Sequence, residues 1–184
     1  MSPVPTKTSP SVAQLVLLLG EAYDKKAWHG PNLKGLLRGM TPAQAAFRLH
    51  DGRHNAWELT VHCAYWKYTV TRLLLAEPRG SFPLAGSNWF PRPSDAGAAA
   101  WRADRALLEA QHRRLLAAVA ALRDRDLAHT PAGSKHTVQR LVLGAAAHDL
   151  YHAGQIALLK RSFPVVATKV RSDARRRTER AARA

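Results

Sequence analysis

His148-Asp149-Leu150-Tyr151-His152-Ala153-Gly154-Gln155 lies inside the last long apolar segment of the chain, from about Thr137 to Arg161. That segment carries Leu141, Ala145, His148, His152, Ile156 and Leu159 at intervals of three and four, the repeat of one helical face. On such a helix His148 and His152 share a face, with Cβ atoms about 5–6 Å apart. Two imidazoles at that spacing can hold one metal ion. Gln155, one heptad on from His148, falls on the same stripe, as does Tyr151. A helix this long and apolar along one side needs partners of its own kind to bury it.

Three more segments repeat the period. Ser11 with Gln14 forms the pattern of a capping box, opening a first long helix to about Lys26 with Val12, Leu15, Leu19 and Ala22 as its apolar face. Trp28-His29-Gly30-Pro31 breaks it. Thr41-Pro42-Ala43-Gln44 is a second capping box with proline at the first helical position, and it opens a short helix ending near Asp51-Gly52. The second long helix runs from about Asn55 to Ala76, with Leu59, His62, Trp66, Thr69 and Leu73 on one stripe, widened by Val61, Tyr65, Tyr68 and Leu75. Pro78 to Pro93 then reads as a loop carrying Trp89 and Phe90. Loops of this length are uncommon in compact domains and often cover sites. Ser94 or Asp95 can cap the third long helix, whose Trp101, Leu108, Leu115 and Leu122 recur every seven; Pro164 follows the end of the fourth. No segment has a strand period. The expectation is an all-α four-helix bundle with one short extra helix, in a topology not restricted to up-down-up-down. Residues 1–10 read as a flexible arm, 11–165 as the bundle and 166–184 as a basic, disordered tail.

The composition agrees. At 184 residues and 46% hydrophobic content, the chain suits one packed domain. A single cysteine, Cys63, allows no intrachain disulfide and fits a reducing compartment. No apolar run reaches the ~18 residues of a membrane span, and Leu15 to Leu19 is followed at once by Glu21 and Asp24, unlike a signal peptide. A cytoplasmic protein is expected, with no membrane partner. The net charge of +15 invites a nucleic-acid reading. Its distribution weakens that reading: seven basic and two acidic residues fall between Lys169 and the C-terminus, and the rest spread over helix faces without a recognition-helix signature. Nucleic acid ranks last among the partners.

The second long helix offers a third inward histidine, His62. Any one of the three alone reads as a core histidine satisfied by hydrogen bonds. Together they are different, because three buried neutral imidazoles need several partners whereas one divalent ion satisfies all three nitrogens. Other residues carry less. Asp149 lies a hundred degrees round from His148 and reads as a surface or capping partner. His112, beside the Leu108–Leu115 stripe, reads as an edge histidine on a solvated face. His54 reads as a cap or loop contact, Trp57, Trp66, Trp89 and Trp101 as core, and Cys63 as a small buried hydrophobe.

His54-Asn55-Ala56-Trp57-Glu58-Leu59-Thr60-Val61-His62, with Trp66 following, and His148-Asp149-Leu150-Tyr151-His152-Ala153-Gly154-Gln155-Ile156 resemble the two signature segments of the DinB/YfiT-like family; Ala27-Trp28-His29-Gly30-Pro31 resembles a segment of one branch. The resemblance spans roughly residues 11–162. It implies a four-helix bundle, commonly a homodimer, with a divalent metal on three histidines, here His62, His148 and His152. Zinc, nickel or a similar ion suits imidazole ligands. Three protein ligands leave a position for water or substrate, and Gln155, Tyr151 and Trp66 are the candidates to contact a substrate or to orient the ligands. Relatives include thiol-dependent transferases and an isomerase, so a metal-dependent enzyme using a low-molecular-weight thiol as cofactor is expected. The approach lies between the second and fourth long helices, under the Pro78–Pro93 loop. A non-catalytic metal- or ligand-binding stress-response module is the alternative. A metalloprotease does not fit, since no glutamate follows His148.

Overall fold

The computed structural model describes residues 9–93 and 97–181, with side chains as far as Phe163. Its helices are α1 (Pro10–Tyr23), α2 (Leu33–Leu37), α3 (Pro42–Ala46), α4 (Ala56–Leu74), α5 (Gly97–Ala120) and α6 (Val138–Ala181), with a single 3₁₀ turn at Asp124–Asp126. No strand occurs among the described residues. No helix is long and apolar enough to cross a membrane.

The four long helices close a ring in which α4 packs on α5 and α6, and α1 packs on the same two. Helix α1 is therefore diagonal to α4, the next long helix in sequence. The segment between them can cross the bundle because it is long and carries α2 and α3, which pack on α6 and on α4–α6 respectively. Helix α2 has no counterpart in the sequence reading; five residues with a glycine in the middle show no period. It is held by Asn32, whose Oδ1 accepts from the Gly35 N–H at 2.8 Å.

Caps explain most of the boundaries. The Thr41/Gln44 capping box is present, but α3 stops at Ala46, short of Asp51. Helix α4 opens on a second reciprocal box, Asn55 with Glu58, whose carboxylate also takes Arg48 Nη1 at 2.9 Å. Helix α1 departs from the Ser11/Gln14 reading. Pro10 occupies its first turn, Ser9 is the N-cap, and no side-chain cap bond forms. Instead Asp124 reaches over: its Oδ1 accepts from Ser9 Oγ at 2.6 Å and from the Val12 N–H at 3.2 Å. A carboxylate at the positive end of a helix replaces the local cap. The expected caps of α5, Ser94 and Asp95, lie outside the described residues. Helix α6 does not end near Arg161 but continues through Pro164 to Ala181. A proline inside a helix removes one N–H and crowds the carbonyl four residues back, yet the residues beyond it are rich in alanine and arginine, strong helix formers with no glycine among them.

The core has two halves. One gathers Leu33, Trp57, Val61, Trp101, Leu108 and Ile156 beneath α2 and α3. The other gathers Val12, Leu19, Val70, Leu115, Val142 and Ala146 at the opposite end. Between them each long helix presents a polar or half-polar residue: Tyr23 from α1, Lys67 from α4, His112 from α5 and Asp149 from α6. Lys67 and Asp149 are each 1% exposed and form a salt bridge. Lys67 Nζ also lies 3.3 Å from His112 Nδ1, and His112 stacks on Tyr23 at 3.9 Å. So Asp149 and His112, expected at the surface, lie at the centre of the bundle. The buried side of α4 follows Trp57, Thr60, Ala64, Lys67 and Thr71, rotated from the stripe expected from its apolar residues because a lysine sits in the middle of it.

Candidate metal centre

His62 comes from α4, and His148 and His152 from successive turns of α6. Nε2 of His148 lies 3.0 Å from Nε2 of His62 and 3.1 Å from Nε2 of His152. The outer nitrogens of two rings are already spoken for. His62 Nδ1–H donates to the Asn88 carbonyl at 2.8 Å, and His152 Nδ1–H donates to Gln155 Oε1 at 2.6 Å. Those bonds fix the tautomers, so both inward Nε2 atoms present lone pairs.

Hydrogen bonding cannot satisfy this arrangement. His148 Nε2 carries one proton or one lone pair, so it can donate to one neighbour at most, and the other neighbour's lone pair is left without a donor. A single cation answers all three nitrogens. Ligand nitrogens about 2.0–2.1 Å from a tetrahedral zinc stand about 3.3 Å apart, close to the observed spacing, so the residues fit a divalent ion. Protonation is correct for it as well. Burial pushes His62 down to about 4, against the Asn88 bond that raises it and with help from the neighbouring imidazoles. Burial, then His152 and His62, pushes His148 down to about 3. Burial lowers His152 too, opposed by Gln155. All three are uncharged at neutral pH, the form that binds metal.

The loop after α4 shapes the site from one side. Its base is anchored by Tyr68, whose hydroxyl oxygen accepts from the Gly80 and Ser81 N–H groups at 3.2 and 3.3 Å, and Phe82 and Phe90 pack against Tyr65. At its far end Asn88 adopts a φ of 62°, a left-handed conformation that asparagine tolerates better than most residues. This turns its carbonyl to His62 and its Oδ1 to Trp66 Nε1–H at 3.0 Å. Trp89 lies flat on His62 at 3.8 Å, and His54 covers its other face at 3.5 Å, both within 7° of parallel. His54 is thus both a loop contact and a hydrogen-bond partner of Glu58, its Nδ1 3.2 Å from the carboxylate. Trp66 is not core: it is 38% exposed, about as far from His62 as from His148, at 6.3 and 6.2 Å between ring centroids. Tyr151 is also on the rim, 66% exposed with its ring 5.0 Å from that of His152. A groove of about 450 Å³ bordered by Trp66, Val70, Leu141, Leu143 and Ala147 reaches His148.

Cys63, His148 and Asp149 also bring donor atoms within 4.8 Å of one another. That set suits a metal poorly. Lys67 occupies Asp149, and burial pushes the Cys63 thiol well above its ordinary range, keeping it protonated. Cys63 therefore sits in the core as a small apolar residue. Asn88, Trp89, Lys67 and Asp149 are the residues around the site that a reading by stripe and motif missed. Only the length of the Pro78–Pro93 loop signalled the first two. Trp28, in the turn after α1, is fully exposed.

Residues 27–156 match the family model described as the DinB superfamily. No curated protein and no solved structure matches the chain.

Proposed function

The chain belongs to the DinB superfamily, and from that premise we propose that it binds one divalent metal ion through His62, His148 and His152 and uses it in a thiol-dependent group transfer. The observation that carries the reading is the convergence of three Nε2 atoms within about one ion's reach, which no pattern of hydrogen bonds among them satisfies. Imidazole-only ligation suits zinc, nickel or another late first-row ion. Such an ion, when bound, lowers the pKa of a water or thiol in its open position and acts as a Lewis acid.

The chain's own residues supply the rest. Asn88 and Gln155 hold two imidazoles in the ligating tautomer with neutral oxygens. Uncharged ligands do not offset a dication, so the site favours an anion in the open position, and a thiolate is such an anion. In the proposed transfer the thiol sulfur would bond to an electrophilic carbon as the carbon–leaving-group bond broke with its electron pair going to the leaving group, and the thiol proton would pass to solvent. Trp66 and Tyr151, both exposed beside the ligands, are placed to contact the electrophile or the body of the thiol. A homodimer and a cytoplasmic location belong to the same reading. Leu143, Tyr151 and Leu158 stand exposed along one outward side of α6, and the single cysteine is unpaired.

Purified protein should carry close to one metal per chain by elemental analysis, and His152→Ala should carry almost none, because two remaining ligands rarely hold the ion. Full occupancy in His152→Ala would overturn the metal assignment. The loaded protein, but not His62→Ala, should accelerate conjugation of glutathione, mycothiol or bacillithiol to 1-chloro-2,4-dinitrobenzene. Metal at full occupancy with no rate from any of the three would leave the non-catalytic metal- or ligand-binding module as the function.

A further inference from the structure

A second cavity, about 410 Å³ and sharing no lining residue with the groove at His148, opens where the end of α1, α2 and the first half of α5 meet. Tyr23, Lys34, Arg38, Arg102, Arg105 and Glu109 supply its polar lining. Four cations therefore face one carboxylate. That carboxylate is already engaged: Glu109 takes Lys34 Nζ at 2.8 Å and the Tyr23 hydroxyl proton at 3.0 Å. Among the described residues, Arg38, Arg102 and Arg105 have no carboxylate within ion-pair distance.

Arg105 is the most telling of the three. Its guanidinium lies over the Trp101 ring, 5.5 Å from the centroid, a cation–π contact. Its Nε is shut off from solvent and has no hydrogen-bond partner in the protein. A buried donor left unsatisfied is destabilising, the more so on a charged group. Arg102 stands three residues before it on α5, hence on the same side of that helix. Arg38 ends α2, and its backbone carbonyl accepts from Lys160 Nζ at 3.2 Å, which pins that end of the cavity to α6. A solvated arginine face needs neither a concavity nor a shielded nitrogen. Like charges gathered around a hollow repel unless something negative sits between them.

We propose that this cavity binds a small phosphate-bearing molecule, with Arg38, Arg102 and Arg105 as the anion's ligands. Guanidinium groups match phosphate oxygens as bidentate forks, and three of them suit a group with several oxygens and more than one charge. The volume lies at the small-molecule end of ligand sites, about 300–1,000 Å³, and Leu37 and Leu108 add apolar wall for the rest of the molecule. A half-open hollow of this size fits a compact ligand better than the continuous basic stripe that a nucleic-acid backbone requires.

The test is isothermal titration of the full chain with inorganic pyrophosphate at fixed ionic strength. Saturable one-to-one binding is expected, weakened at least tenfold in Arg105→Gln and in Arg38→Gln/Arg102→Gln, and unchanged in His152→Ala. The last variant separates this cavity from pyrophosphate captured by a metal, and the exposed Arg38 and Arg102 can be replaced without disturbing the core. Binding that fails to saturate, or that survives both sets of arginine variants, would overturn the proposal. So would loss of pyrophosphate binding in His152→Ala. Displacement of pyrophosphate by a short DNA duplex, with the duplex lost in the same variants, would replace the small ligand by nucleic acid.

Discussion

Asn88 shows how a single backbone conformation can set the tautomer of a buried histidine. Its left-handed φ is what brings the carbonyl to His62, so the residue's tolerance of that conformation and the tautomer of His62 are linked. Replacing Asn88 by Gly keeps the conformation accessible and loses only the bond to Trp66; metal affinity should stay near wild type. Replacing it by Val, which a positive φ strains severely, should cost 10–100-fold in affinity, the usual range for partners that orient a ligand. Competition with a chromophoric chelator measures both, and equal affinities would mean that the loop does not orient His62. His112 supports a prediction about pH. Burial, then the charges of Lys67, Lys34 and Lys25, pushes it down to about 3, below its ordinary value of about 6.5. Between those values the unfolded chain binds the proton and the folded chain does not. Stability is therefore fully present above about pH 6.5 and is lost as pH falls toward 3. In metal-free protein the urea midpoint should decline from pH 7 to 4.5, and less steeply in His112→Phe, which keeps a ring against Tyr23. Equal slopes would show that His112 is charged in the folded state. The cluster of His62, His148 and His152 was legible in the sequence, the last two by their spacing on one helix and all three by the family resemblance. His112 and Asp149 were not, because a titratable side chain is assigned to solvent unless its partner is known, and Asp149 meets Lys67 across 82 positions of sequence.

Among the elements, the long helices were legible in outline, and their ends were not. Local chemistry wrote the Thr41/Gln44 box into four residues; Asp124 caps α1 from 112 residues away, and no local rule could anticipate it. Pro164 marks the opposite failure, a stop signal overridden by the helix-forming residues around it. The buried Lys67–Asp149 bridge ties α4 to α6. Lys67→Met leaves Asp149 buried without its cation, and a broken buried pair costs about 3–5 kcal/mol. Lys67→Met/Asp149→Leu removes both charges and should recover most of that loss, since apolar groups of similar size commonly replace a buried pair without penalty. Urea unfolding of the single and double variants decides it. A single variant as stable as wild type would mean that water reaches the pair.

At the scale of the whole molecule, the two apolar half-cores are interchangeable in character, and the polar layer between them is not. Bundles held by apolar rows alone can settle in neighbouring alignments, since one turn, about 5.4 Å, sets leucines and valines against leucines and valines again. Sliding α6 by one turn here would put Ala145 or Ala153 opposite Lys67 and would leave only one imidazole beside His62, with Gly144 or Ile156 in the other's place. The buried pair and the histidine cluster therefore act like two notches cut at one height, and both engage only in the native alignment. The Lys67→Met/Asp149→Leu protein should on this account be stable yet less single-minded. Its metal-free form should show doubled backbone amide signals by NMR that merge into one set when metal is added. One set of signals without metal would show that the apolar rows alone specify the alignment.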